Sequence, residues 1–514
     1  MLIGFKAGVK VDDLIRRTQR NCAFYREGLA SECLLRGAAA CWQTVEPPGS
    51  FGDMIVHQLT VPSSTSYHQL AALETLSAAH SPYMFTRIVN MLSNSSNYYP
   101  AFRLVGVAAN LLAGRRFREN EPTKMEYRES TEEARFREEV RDWLHAHKPE
   151  DPRPRGPFAA QMAYDRAWQR TQYEGGWAGI SWPEDYGGRG LSLSQQLIWC
   201  EEYALAHCPP VHDSCWLGLN HAGPTLIERG TEEQKAFHLP RILKGEAAWC
   251  QGFSEPGAGS DLASLRTRGV VDGEHLVVNG QKIWTTLAHL ADYQELLVRT
   301  GTEESRHRGL TWVICDMHLP GVEVRPITAL DGEYHTCEVF YDDVRIPLAN
   351  VVAEIDSGWS VAMTTFKFER GSASFAAFCE IATWLEDIID YARSHPMLPG
   401  GRPAIEREAL AYRLAMARAQ VQAARALMLN MVSAGERGIE TGSEASLMRL
   451  TASELEQTVM RLAIDVMGPA SLSRTVRHDW ITAYFEAFAE TIAGGTSEIQ
   501  RNIIGERVLG LPRS

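Results

Sequence analysis

The spacing of apolar residues changes twice along this chain, and that double switch limits the folds open to it. From about residue 125 to 247 apolar residues recur at helical spacing, interrupted at Gly175-Gly176-Trp177 and at Trp182-Pro183-Glu184-Asp185-Tyr186-Gly187-Gly188. From there to about residue 350 the runs are short and β-like, as in His275-Leu276-Val277-Val278 and Thr311-Trp312-Val313-Ile314-Cys315. Asp272-Gly273, Asn279-Gly280 and Pro320-Gly321 read as the turns between them. Beyond Gly358-Trp359 helical spacing returns, with Ala415, Ala417, Ala419, Ala423, Ala424 and Ala426 supplying helix propensity and small contact residues. The order is helices, then a β domain, then helices, an α+β chain divided at 125–247, 248–354 and 355–514.

Residues 1–124 stand apart. They carry a small positive excess within a chain of net charge −13, their apolar residues show no sustained period, and Pro62-Ser63-Ser64-Thr65-Ser66 and Ser93-Asn94-Ser95-Ser96-Asn97 read as loops. After Met125 the pattern becomes that of a helix, with Phe136, Val140, Trp143 and Leu144 on one face and acids in the first turn. The stretch before Met125 is either an over-extended start or a separate domain without a recognisable motif.

At 514 residues the chain has room for roughly 2–4 domains and needs no staples to bury a core. Its ten cysteines form no CxxC pair and no regular framework, which fits a reducing cytoplasm and supports neither a disulfide scaffold nor zinc. No metal-ligand set stands out, and His221 reads as a core or surface residue. No apolar run approaches the roughly 18 residues of a spanning helix. The acidic balance argues against nucleic-acid binding, which needs a basic face.

Three segments carry chemistry: Phe253-Ser254-Glu255-Pro256-Gly257-Ala258-Gly259-Ser260-Asp261, the pair Trp284 and Thr286, and Gly494-Gly495-Thr496-Ser497-Glu498 near the C-terminus. The first is an irregular backbone open to close approach by a ligand, with hydroxyls at Ser254 and Ser260. Together, and in this order, they resemble the signatures of the acyl-CoA dehydrogenase family. The resemblance runs from about residue 125 to the C-terminus and implies a helical domain, a middle β barrel and a C-terminal four-helix bundle, with FAD as cofactor. It also implies roles. Phe253, Ser254, Trp284 and Thr286 would meet the flavin, Thr496 and Glu498 its phosphate or ribityl region, and Ser260 the pantetheine-phosphate end of an acyl-CoA.

Two departures from the family's pattern touch the part of the FAD site that a neighbouring subunit supplies. Where relatives have Arg-x-x-Phe-Gly this chain reads Arg393-Ser394-His395-Pro396-Met397, leaving Arg393 as the candidate. Where they have Gln-x-x-Gly-Gly it reads Asp465-Val466-Met467-Gly468-Pro469. A heteromer with a related subunit would restore these contacts; a homo-oligomer is the alternative.

Taking an α-proton from an acyl thioester requires a carboxylate in a dry pocket. Many relatives carry it directly before Gly-Thr-Ser, where this chain has Gly494. Another branch, resembling isovaleryl-CoA and long-chain acyl-CoA dehydrogenases, carries it on an earlier helix before an Arg, the position of Glu369 in Phe366-Lys367-Phe368-Glu369-Arg370. By that resemblance Glu369 is the base and Arg370 orients the CoA part or holds the base. Gly494 offers its N–H to the thioester carbonyl. Glu486 and Glu490 read as a solvated helix face. The expected reaction is α,β-dehydrogenation of an acyl-CoA to a trans-2-enoyl-CoA, with an electron-transfer flavoprotein as acceptor. A non-catalytic partner subunit and an oxygen-using flavoenzyme on the same fold are the alternatives.

Overall fold

A computed structural model describes residues 129–154, 158–369, 373–398, 400–439, 444–473 and 479–512. The reading of residues 1–124, and the role given to Arg370, therefore lie outside the described residues. Most of the described chain falls in one compact unit, Met125–Val508.

The first zone contains helices α1 (Thr131–His147), α2 (Phe158–Glu174), α3 (Leu193–Leu205), α4 (Gly223–Arg229) and α5 (Glu232–Leu243). Helix α1 starts where local chemistry dictates. The Ser130 hydroxyl accepts the Glu133 N–H while the Glu133 carboxylate accepts the Ser130 N–H, so two otherwise orphaned donors are satisfied. The same reciprocal box opens α3 at Ser192 and Gln195, and α5 at Thr231 and Gln234. Phe136, Val140 and Leu144 bury the inner stripe of α1, and Trp143 joins a cluster of rings with Trp168, Trp177 and Trp199. Helix α4 lies so close to the Trp182 ring that a Cβ on Gly223 would approach it to 1.9 Å, which fixes glycine at the contact.

The middle zone is a seven-stranded curled sheet: β1 (Trp249–Gly252), β2 (Arg268–Asp272), β3 (His275–Thr286), β4 (Tyr293–Arg299), β5 (Leu310–Asp316), β6 (Val322–Ile327) and β7 (Thr336–Pro347). The order is β1-β4-β2-β3-β7-β6, with β5 beside β4. Strands β1 and β4 run parallel; the β2–β3, β3–β7, β6–β7 and β4–β5 pairs are antiparallel. Gly273, at φ 58°, turns the β2–β3 hairpin. Asn279-Gly280, read from sequence as a turn, instead lies within β3 at a register shift against β7. Its glycine is needed because Gly280, at φ 149°, passes so near Thr267 that a Cβ would come to 2.7 Å from that residue's backbone.

The last zone holds α6 (Gly358–Glu369), α7 (Ala373–Ser394), α8 (Glu408–Glu436), α9 (Glu444–Met467), α10 (Trp480–Glu490) and α11 (Ser497–Ile503). On α8 the buried positions Leu410, Leu414, Ala417, Val421, Ala424 and Met428 follow a three-four alternation, so a single seam faces the bundle. Of the alanines noted in the sequence, Ala417 and Ala424 occupy that seam, while Ala415, Ala419 and Ala423 are exposed. Glu490 is not on a solvated face: its carboxylate accepts from Arg449 at 2.8 Å and ties α10 to α9.

Glu380 sits inside this bundle, with the Val211 N–H donating to it at 3.3 Å. Burial pushes its carboxyl up to about 7, although that N–H opposes the shift. The folded form thus retains a proton that the unfolded chain releases above its ordinary value near 4.5. The stability this group lends is full below that ordinary value and is lost as pH rises through about 7. Glu380→Gln is therefore expected to raise stability at pH 8 by on the order of 2 kcal/mol, with the advantage fading towards pH 4.5. Thermal melts across that range will check it; an advantage independent of pH would contradict it.

Candidate active site

The site starts at the end of β1. Phe253 is buried, and the segment after it folds back so that Glu255 and Ala258 bond each other's backbones at 3.0 Å in both directions. Two contacts fasten this loop to β3. The Ile283 N–H donates to Ser254 O at 3.0 Å. The fully buried Lys282 ammonium donates to Phe253 O at 3.0 Å and to the Glu255 carboxylate at 2.8 Å. Glu255 also accepts the backbone N–H groups of Arg266 and Thr267 at 2.6 and 2.8 Å. Burial alone would raise the Glu255 carboxyl, but the Lys282 charge and these donors hold it below the usual carboxylate range. Burial brings Lys282 down to about 8 against the pull of Glu255.

One residue past that anchor β3 bulges, its register against β7 shifting between Lys282 and Thr285. The bulge puts Trp284 at φ 60°, a left-handed conformation uncommon for a bulky residue, with 61% of its surface exposed. Strand core is thus excluded for Trp284. Thr286 is exposed at the end of the same strand, and Ser254 is half-buried. Gly257, Gly259 and Ser260 lie at the open edge of the loop, and a Cβ on either glycine would meet nothing within 4 Å. An isoalloxazine needs an aromatic wall, hydroxyl and backbone partners, and room against the main chain. These residues fit one.

Helix α6 comes to the same corner from the other side. The Phe366 ring meets the Phe253 ring edge-on at 5.7 Å. Two further contacts hold α6 on α4: Thr225 and Thr365 share a hydrogen bond of 2.9 Å between their hydroxyls, and Arg229 donates to the Thr364 hydroxyl at 3.0 Å. Glu369 is the last residue of α6, one turn beyond Phe366. Lys367 is exposed, 3.8 Å from Glu228.

The remaining sequence candidates have local partners. Thr496 caps α11, its hydroxyl accepting the Ile499 N–H at 3.3 Å, and Glu498 is exposed in the first turn with Arg501 at 4.0 Å. Gly494 and Gly495 take left-handed φ values of 63° and 96°. Their carbonyls accept the side-chain amide of Gln500, both at 3.1 Å, so Gln500 holds the Gly-Gly-Thr turn in shape. Arg393 donates to Asp390 at 2.8 Å, and Asp465 pairs with Arg413 at 2.7 Å. Sequence reasoning missed Lys282 and Gln500; the signal lay in Glu255, an acid inside a flavin motif that needs a cation, and in the six-residue reach from Gln500 back to Gly494.

His221 is a core histidine. It lies in a π-helical turn (Gly218–Ala222), within 3.2 Å of the Gln251 amide, and burial lowers it to about 3. Seven described cysteines are free, and no described helix is long and apolar enough to cross a membrane.

Comparison with known proteins agrees with this architecture zone by zone. Residues 130–246 match the acyl-CoA dehydrogenase N-terminal domain, 250–344 the middle domain and 356–509 the C-terminal domain. The chain belongs to the acyl-CoA dehydrogenase family, a family of FAD-dependent oxidoreductases. It is 38% identical over 362 residues to acyl-CoA dehydrogenase IpdE1 of Mycobacterium tuberculosis, covering 70% of this chain and 91% of that one. Acyl-CoA dehydrogenase FadE26 of the same organism is 35% identical, covering 66% of this chain and 86% of its own. Among solved structures, the Tcur3481-Tcur3483 steroid ACAD superposes with a TM-score of 0.67 at 31% identity, covering 76% of this chain and all of that one. The ChsE4-ChsE5 complex from Mycobacterium tuberculosis gives 0.65 at 32%, with the same coverage.

Proposed function

We propose that this chain catalyses the α,β-dehydrogenation of an acyl-CoA thioester to a trans-2-enoyl-CoA, with Glu369 as the base, inside a heteromer with a related subunit. The observation that carries the reading is the meeting of Phe366 and Phe253, which sets the end of α6 beside the loop of the flavin motif. Glu369 takes the α-proton. FAD, when bound, supplies the acceptor for the β-hydride. Phe253 and Phe366 supply apolar surface at the end of α6, and a carboxylate in a dry pocket is a stronger base than one in water. Gly494 donates its N–H to the thioester carbonyl as charge develops there, and Arg370 orients the CoA portion. Ser260 meets the pantetheine-phosphate end.

The heteromer rests on residues already engaged elsewhere. Arg393 is turned to Asp390 and Asp465 to Arg413, so the half-site that one subunit of this family lends another is weakly equipped here. Two of the similar structures carry the names of two chains. One is titled a steroid ACAD, which favours a bulky, ring-bearing acyl group over a straight chain. An electron-transfer flavoprotein reoxidises the cofactor.

The test is product mass. Straight, branched and ring-bearing acyl-CoAs, incubated with the purified assembly and an artificial electron acceptor, should include one converted to a product lighter by two hydrogens. Thioesters all returned unchanged would count against the reading.

A further inference from the structure

A cavity of about 120 Å³, partly open to the surface, lies between the helices of the first zone and α7. Its wall includes Trp177, Trp199, Tyr203 and Trp216, with Ala376 of α7 on one side and Asp213 on another. Trp177 and Trp199 stack at 4.6 Å and 15°, which makes one wall flat and rigid. Two neighbours tie the cavity to the reacting end. Ala376 follows Glu369 by seven residues, and the wall residues Leu219 and Asn220 belong to the π-helical turn against which α6 packs.

Size and polarity both select. An apolar cavity of ~150 Å³ holds a benzene, so this one is about a single ring wide. It is not uniformly apolar, however. Asp213 turns one carboxylate oxygen to the Cys215 N–H at 2.8 Å and lies on the cavity wall. The charge nearest to it is already spent: Asp165 is held by Arg153 through two bonds of 2.7 and 2.6 Å. Burial pushes Asp213 up to about 8, the Asp165 carboxylate adding to the effect and the Cys215 N–H opposing it. At neutral pH the group holds its proton and can donate. Beside it on the wall the Trp216 indole N–H is buried without a protein partner. A purely hydrocarbon occupant would leave the Asp213 carboxyl and the Trp216 indole N–H unanswered, at the cost of unpaired buried polar groups.

We propose that this cavity receives the far end of the acyl group, a ring bearing a carbonyl or hydroxyl oxygen, and that Asp213 is the residue that selects for that oxygen. The assignment rests on the acyl-CoA reading above. The flat indole wall accepts the ring face, and the carboxyl donates to the oxygen.

The test uses cyclohexylpropanoyl-CoA and its ring-oxo counterpart with the wild-type assembly, Asp213→Leu and Asp213→Asn. Binding is followed by quenching of tryptophan fluorescence and turnover by anaerobic loss of the flavin band. The wild type is expected to prefer the oxo compound by about tenfold or more, since one hydrogen bond to a desolvated partner decides the difference. Asp213→Leu should bring the ratio close to one. Asp213→Asn, which keeps an N–H donor of the same size, should retain most of it, and serves if the leucine variant does not fold. Equal affinity of the wild type for both compounds, or an unchanged ratio in Asp213→Leu, would overturn the proposal. Discrimination in binding without flavin bleaching would keep the subsite and remove the dehydrogenase reading; neither binding nor bleaching would remove both.

Discussion

Glu369→Gln is expected to bind FAD and acyl-CoA like the wild type, yet to reduce the bound flavin with substrate at least about 10²–10⁴ times more slowly, the usual worth of a positioned base. The amide keeps the size of the side chain and loses only the ability to take a proton. A structural carboxylate would behave differently, because losing its partners would lower thermal stability or flavin content and leave the rate per bound flavin nearly intact. Stopped-flow reduction under anaerobic conditions, normalised to flavin content, separates the two. A rate constant within a factor of two or three of wild type would place the base elsewhere, since a lost base costs about two orders of magnitude or more.

The second large effect lies away from the chemistry. Glu255→Ala leaves the Lys282 ammonium fully buried with Phe253 O as its remaining recorded partner, and strips the Arg266 and Thr267 N–H groups of their acceptor. Breaking a buried pair by removing one member costs about 3–5 kcal/mol. Here the loss falls on the loop that carries Phe253 and Ser254, so flavin retention should fall together with the melting temperature. The double variant Glu255→Leu with Lys282→Met removes both charges and should recover part of the stability, because an apolar replacement of a whole pair costs less than an orphaned charge. Melting curves and flavin content of the three proteins check this. A single variant as stable and as yellow as the wild type would show that the pair does not hold the loop.

What could be read in the sequence, and what could not, divides along a physical line. Helix α1 was legible because its apolar stripe and the acids of its first turn are both local. The helix–sheet–helix order was legible for the same reason: the period of the pattern is set within a few residues. Asn279-Gly280 was misread because a glycine forced by a neighbouring strand looks, locally, like a glycine at a turn. Lys282 was passed over because a lysine in a strand ordinarily faces water, and its partner Glu255 lies 27 residues away. Glu490 was assigned to a solvated face for want of Arg449, on another helix 41 residues earlier. Trp284 shows the converse. Its motif was plain, but the bulge and left-handed backbone that turn the ring outward arise from the mismatch of β3 with β7, which the spacing of residues does not encode.

The cavity at Asp213 belongs with the long-range features. Its walls come from α3, the segment after α2, the π-helical turn and α7, and nothing in the order of those residues announces that they enclose one space.

The central claim, that the corner formed by Phe253, Trp284 and the end of α6 is a flavin site serving acyl-CoA chemistry, is tested most directly by the visible spectrum of the purified protein. The protein should carry the absorption of oxidised flavin, and that band should bleach under anaerobic conditions on addition of one class among straight, branched and ring-bearing acyl-CoAs. A protein that stays colourless after FAD is added, or whose flavin no acyl-CoA bleaches, would contradict the account.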